Sequence, residues 1–406
     1  MTTGSTVKPA DRTENIKYAV RDIVVLAKEV AKTGKEMLYL NIGDPNQFDF
    51  ETPPHIVEAI YSALKRNMNS YSPSSGIPEA VGAIEREAHR KGIENILDLF
   101  VTTGASEAIE ICLTALANQG DNVLTPSPGY PLYQAVLAKL QVVENPYYLD
   151  ESHGWQPDLA DIESKMNSRT RAIVLINPNN PTGSVCNVET MRGLIKLAKQ
   201  HNLVLFCDEI YDKLIIDDKP HTSLASLDKE VSAITFNGIS KSYLGPGLRI
   251  GWGIVSGERS RMKDYIEAIN KILRARLCAS HPMQWAIKPA LEGDQSHLKV
   301  VREKLRRRRD MTTDMLNAIP GISCVRPEGA FYAFPRVEIE NDDEHFVKEL
   351  IKATGVVVVP GNGFGQVPGT RHFRVVFLPP EETLRKAYTN IGAFLEKYVA
   401  DYAGVK

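Results

Sequence analysis

A chain of 406 residues, 43% hydrophobic and 24% charged, has the make-up of a soluble globular protein with room for more than one domain. A formal net charge of −2 at pH 7 gives no bulk attraction for nucleic acid or an anionic membrane surface, and no apolar stretch reaches bilayer-spanning length. Five scattered cysteines without metal-ligand spacing point to free thiols in a reducing cytoplasm and to no metal site.

Along the chain, a polar arm precedes "IKYAVRDIVVLAKEVAKTGK", whose apolar spacing predicts an amphipathic helix, and "MLYLNIGDPN", a short strand and turn. From about residue 55 to about 255, strand-like runs alternate with helical ones. The strands are "LFVTT", "DNVLTP", "QVVENPYY", "RAIVLINP", "LVLFCDE", "AITFNG" and "RIGWGIV"; the helices between them include "ASEAIEICLTALANQ", "PLYQAVLAKL" and "VETMRGLIKLAKQH". Continuous apolar strands are expected where helices cover both faces of a parallel sheet. A helical region from about 257 to about 318, interrupted near "CASHPMQ", leads into the shorter strands "ISCVRP", "AFYAFP", "VVVVPG" and "HFRVVFL" and two more helices.

The expected fold class is α/β, a large domain with a mostly parallel seven-stranded sheet flanked by helices, plus a smaller α+β domain. The boundaries fall at 1–45 for an N-terminal arm and helix associated with the small domain, 46–289 for the large domain and 290–406 for the small one. Two stretches are set aside. The run Arg306 to Arg309 in "EKLRRRRDM" reads as a solvated helix face, because acids lie nearby. "GNGFGQ" lacks the G-x-G-x-x-G spacing of a dinucleotide site and no helix pattern follows it.

In open α/β sheets, ligands bind beyond the carboxyl ends of the strands, and polar residues collect there in this sequence. "LVLFCDEIYDKL" delivers Asp208 and Tyr211, "AIVLINPNNPTG" delivers Asn180, "LFVTTGASEAIEIC" delivers Gly104, Ala105 and Ser106, and "AITFNGISK" delivers Lys241. Singly each has a plainer reading as a cap or turn residue. One ligand would use them all, a phosphorylated pyridine aldehyde. Lys241 can form a Schiff base with the aldehyde, and Asp208 can keep the ring nitrogen protonated. Tyr211 and Asn180 can donate to a phenolic oxygen, while the helix start at Ala105–Ser106 and Arg249 suit the phosphate.

These segments resemble the class I/II aminotransferases, fold-type I pyridoxal-phosphate enzymes. "SKSYLGPGLRIG" follows the pattern S-K-x(7)-R-x-G, and "NPNNPTG" and "DEIY" match two further signatures of that family. The resemblance covers nearly the whole chain and implies pyridoxal 5'-phosphate as cofactor. It implies that Lys241 holds the cofactor and then moves the substrate's α-proton, and that Asp208 pairs with the pyridinium nitrogen. Tyr211 and Asn180 would face the phenolate oxygen; Gly104, Ala105, Ser106 and Arg249 would surround the phosphate; Tyr130 would stack on the ring. Tyr71, in "NSYSPSSGIPEA", would reach the phosphate of the neighbouring subunit, which implies a homodimer. Arg374 in "RHFRVVFLPP" would grip the substrate α-carboxylate, with the Gly43 backbone close to it. Ser127–Pro128 and Asn180–Pro181 would be cis. Many relatives carry a phosphate-binding serine where this chain has Gly238; Ser240 is the neighbouring hydroxyl.

Among the family, the resemblance is greatest to alanine (glutamate–pyruvate) aminotransferases, through "YAVRD", "NIGDP", "PGYPLY", "RLCASHPMQ" and "HFRVVFLPP". Small amino acids and 2-oxo acids are then the partners, exchanged by a ping-pong route. Aspartate-specific relatives use an arginine near the position of Ile287, which is lacking here. Tyr18 and Arg21 are candidates for a lid over the substrate, or for an ordinary amphipathic face. An aspartate or other amino-acid aminotransferase, a fold-type I lyase or a decarboxylase would keep the same cofactor residues. A non-catalytic sensor would too, although the short arm before Ile16 leaves no space for the DNA-binding domain such regulators carry.

Overall fold

The computed structural model describes residues 6–16, 19–217 and 219–402. The apolar runs of the first part form one sheet of β1 (Ile96–Thr102), β2 (Asn122–Ser127), β3 (Val143–Asp150), β4 (Gln156–Pro157), β5 (Thr170–Ile176), β6 (Val204–Asp208), β7 (Ala233–Gly238) and β8 (Gly251–Ser256). Its order is β1-β8-β7-β6-β5-β2-β3-β4. β7, β6, β5, β2 and β3 pair in parallel; β8 is antiparallel to both β7 and β1, and β4 is antiparallel to β3. Seven of these are the expected strands. The eighth, β4, is a two-residue edge strand that extends no further than Pro157.

The continuous apolar runs have the expected cause. Along β5, Ile173 and Leu175 enter one hydrophobic cluster while Ala172 and Val174 enter another on the opposite face. Successive side chains alternate across a strand, so a strand covered on both faces buries every residue. Helices such as Pro78–Arg90 and Val188–His201 cover one face, and Ala105–Leu116 and Arg259–Ala275 the other.

A third cluster lies around shorter elements. Here β9 (Tyr332–Ala333), β10 (Val359–Pro360) and β11 (Phe373–Val376) form an antiparallel sheet in the order β9-β11-β10. "VVVVPG" is split, since Val356–Val357 pairs instead with Leu38–Tyr39 in parallel. Helices Ser296–Asn317, Asp343–Thr354 and Glu381–Tyr402 complete this region.

Arg307 is exposed as the sequence reading expects, but Arg308 and Arg309 correct it. Arg308 and Arg309 are each only 1% exposed. Arg308 forks onto Asp49 at 2.9 and 2.8 Å, and Arg309 onto Asp217 at 2.8 and 2.9 Å. Bidentate carboxylate partners are what permit such burial. Ser127–Pro128 and Asn180–Pro181 are cis as expected, and so is Asn177–Pro178. Among the described residues, no helix is long and apolar enough to cross a membrane.

Candidate active site

The antiparallel setting of β8 decides what meets at the sheet's edge. β1, β2, β5, β6 and β7 all end on the same side, and β8 begins there. Arg249, just before β8, therefore joins residues that follow the other strands. The result is a cavity of about 290 Å³ lined by Gly43, Ala105, Ser106, Tyr130, Asn180, Asp208, Tyr211, Lys241, Arg249 and Arg374, together with Asn41, Asp44, Ser240 and Tyr332.

At one end, the Ala105–Leu116 helix points its first turn at the cavity. Gly104 precedes it with φ 79°, and a Cβ there would lie 2.4 Å from Arg249 Nη2. Glycine thus provides both the left-handed turn and the close approach of the guanidinium. Arg249 Nη2 donates to Ser106 Oγ at 3.3 Å, and Nη1 donates to the Pro246 carbonyl at 2.8 Å. Free N–H groups at a helix start beside a guanidinium make an anion site.

In the middle stand two ionisable groups away from their ordinary behaviour. Asp208 ends β6, is 3% exposed, and receives only long hydrogen bonds, from Tyr133 Oη at 3.4 Å and the Ile210 N–H at 3.3 Å. Burial pushes its carboxyl up to about 6. Lys241 Nζ donates to the Gly43 carbonyl at 2.8 Å. Burial pulls this amine down to about 8, with Arg374 and Arg249 adding to the effect and Asp44 opposing it. A lysine depressed in this way holds a reactive neutral amine at higher population. Tyr211, 3% exposed, shares a 2.8 Å hydrogen bond with Tyr332 Oη.

At the other end, Arg374 on β11 is 4% exposed. Its Nη1 donates to Asn180 Oδ1 at 3.1 Å and its Nη2 to the Asn41 carbonyl at 2.6 Å. The guanidinium carbon lies 4.8 Å from the Tyr332 ring centre and 4.6 Å from that of Phe364. Both rings are within cation–π distance of it.

Tyr71 is 81% exposed and does not line this cavity. Tyr18 lies outside the described residues, as does the side chain of Arg21. Gly238 sits on β7 where a Cβ would be 2.7 Å from the Ile250 carbonyl oxygen, so this backbone has no space for the serine hydroxyl of many relatives; Ser240 lines the cavity instead. Sequence reading missed Tyr332, Asn41, Asp44 and Tyr133. Asn41 and Asp44 stand in the "NIGDP" segment beside Gly43, and Tyr133 comes three residues after Tyr130 on a helical segment.

The pattern of the family described as aminotransferase class I and II matches residues 35–391. The chain belongs to the class I and II aminotransferases. It is accordingly an aminotransferase that depends on pyridoxal phosphate. It is 37% identical over 403 residues to the glutamate-pyruvate aminotransferase AlaA of Escherichia coli, covering 97% of this chain and 99% of that one. It is 41% identical over 395 residues to an alanine aminotransferase of Mycobacterium tuberculosis, covering 95% and 92%. Among solved structures, an alanine aminotransferase from Pyrococcus furiosus superposes with a TM-score of 0.93 at 37% identity, covering 96% and 100%. An aspartate aminotransferase from Rhizobium meliloti gives 0.88 at 29%, covering 96% and 99%.

Proposed function

We propose that this enzyme transfers the amino group between alanine and 2-oxoglutarate by a ping-pong route, with Lys241 as the residue that holds the cofactor and moves the α-proton. The observation that carries this reading is the cavity itself, which joins a depressed lysine, a buried carboxyl and a helix-start anion site in one line. The cavity suits pyridoxal phosphate. Asp208 has no strong hydrogen-bond partner, and a protonated ring nitrogen would supply the cation its buried carboxylate lacks. Ala105, Ser106 and Arg249 would hold the phosphate, with Gly104 shaping their turn, and Asn180 and Tyr211 would face the phenolic oxygen, with Tyr130 over the ring. When bound, the cofactor supplies an electron sink for the carbanion left at the substrate's Cα.

The chain's own residues do the rest. Arg374 presents a fork fixed by Asn180, Asn41 and two aromatic rings, which suits a carboxylate held in one orientation. Lys241 Nζ, beside the Gly43 carbonyl, is the base that would take the α-proton from the substrate's Cα and deliver it to the carbon that was the cofactor's aldehyde. Among the described residues, the cations lining the cavity are Lys241, Arg249 and Arg374. With Arg249 at the phosphate and Lys241 at the reacting carbon, Arg374 remains for the α-carboxylate that alanine and 2-oxoglutarate have in common. The names of the similar enzymes in Escherichia coli, Mycobacterium tuberculosis and Pyrococcus furiosus support the choice of alanine. We place the working form as a cytoplasmic homodimer in which exposed Tyr71 reaches the partner's phosphate, with domain limits at 46–289 and 290–406 and an N-terminal segment 1–45 on the small domain. Five cysteines without a disulfide support a reducing compartment. The test is product analysis with alanine and 2-oxoglutarate. Pyruvate and glutamate are expected in equal amounts; pyruvate without matching glutamate would point to a lyase.

A further inference from the structure

Tyr332 lines the same cavity and meets Tyr211, Arg374 and Gly43 there. Its hydroxyl shares a 2.8 Å hydrogen bond with Tyr211 Oη. Its ring covers the Arg374 guanidinium at 4.8 Å. Its Oη also lies so close to Gly43 that a Cβ there would be 2.2 Å away, which makes residue 43 a glycine and keeps its carbonyl beside Lys241.

A pair of hydroxyls sharing one hydrogen bond has two arrangements. If Tyr211 is the donor, its hydrogen points at Tyr332 and not into the cavity. If Tyr332 is the donor, the hydrogen of Tyr211 is free to turn to a ligand. We propose that Tyr332 is a positioning residue for the reaction, its hydroxyl donating to Tyr211 and so committing the Tyr211 proton to the cofactor's phenolic oxygen. This rests on the reading that Tyr211 faces that oxygen. Both rings are buried, at 3% and 2% exposed, so water does not compete for the pair. Burial also keeps Tyr211 protonated well beyond the ordinary phenol range, so it has a hydrogen to give. Chains of hydroxyls polarise one another, and a Tyr211 that accepts from Tyr332 is the stronger donor. A stronger donor to an anionic oxygen favours the deprotonated form of the lysine–cofactor linkage.

The linkage's visible absorbance, titrated with pH in the cofactor-loaded enzyme, reads this directly. Tyr211→Phe is expected to raise the midpoint by about one pH unit or more, since a hydrogen bond to a charged oxygen is lost. Tyr332→Phe is expected to raise it by about half a unit. In the Tyr211→Phe background, Tyr332→Phe should add nothing, because its effect runs through Tyr211. The Phe ring still covers Arg374, so KM for alanine should stay within about twofold of the parent while the midpoint moves. An unchanged midpoint in Tyr332→Phe overturns the inference, and so does an equal shift in the Tyr211→Phe background. If Tyr211→Phe alone leaves the midpoint in place, the role given to Tyr211 falls first and the inference with it.

Discussion

Asp208, the last residue of β6, and Asp212, four residues on, are both buried, at 3% and 4% exposed, yet their acidities move in opposite directions. Asp208 faces the cavity and burial pushes it up to about 6. Asp212 instead contacts Lys91. Burial opposes its ionisation as well, but Lys91, Lys213 and His221 outweigh that and hold it well below the ordinary carboxylate range. Lysines repeat the contrast. Burial brings Lys241 down to about 8, whereas Lys91, equally withdrawn from water, is held up by Asp212 and Glu209. Behind the cavity the charges are matched: Lys91 contacts Asp212, Lys213 meets Glu87 at 2.5 Å, and His221 meets Glu209 at 3.1 Å. In the cavity, Asp208 receives only the two long hydrogen bonds from Tyr133 and Ile210. Burial raises the stakes, and the partner decides the sign.

This difference can be broken from either side. The largest effect is expected at Lys241, where Lys241→Ala should lower transamination by about 10⁴-fold while leaving the fold intact, as followed by steady-state kinetics and circular dichroism. Next is Lys91→Met, which removes the ammonium that contacts Asp212 and lies beside Glu209. It should cost about 3–5 kcal/mol in urea unfolding, and replacing Asp212 by Leu as well should recover much of that.

The aspartates give smaller effects of opposite sign. Asp208 binds its proton more tightly folded than unfolded, so its contribution to stability is full below about pH 4 and lost as pH rises through about 6. Cofactor-free Asp208→Asn should therefore be more stable than the parent by about 1–3 kcal/mol at pH 7 and no different below about pH 4. Asp212 contributes above about pH 4 and loses its contribution as pH falls, so Asp212→Asn should be destabilising at pH 7. Matching signs for the two variants would remove the distinction drawn between the two regions. The smallest change is Gly238→Ser, expected to lose about 1–2 kcal/mol of stability without tightening cofactor binding, as fluorescence titration would show.

Much of this was legible in the sequence for a local reason. Asp208, Asn180 and Lys241 each follow an apolar strand directly, and a sheet with parallel strands brings such positions to one edge. The strand pattern likewise announced a large α/β sheet. What stayed hidden depended on partners distant in the chain. Arg308 and Arg309 looked like a solvated run because Asp49 and Asp217 are 259 and 92 residues away. Tyr332 in "GAFYAFP" looked like one more strand aromatic, since nothing local shows that β9 sets it against Tyr211, 121 residues earlier. The absence of a serine at 238 was visible, but its cause, the Ile250 carbonyl 2.7 Å from a Cβ, was not.

The central claim is that Lys241 carries the cofactor. Borohydride reduction of the loaded enzyme, followed by proteolysis and mass mapping, tests it at the level of one residue. The expected result is the cofactor's mass on the peptide containing Lys241, with none retained in Lys241→Ala. Cofactor fixed to any other lysine, or reducible cofactor persisting in Lys241→Ala, would contradict it.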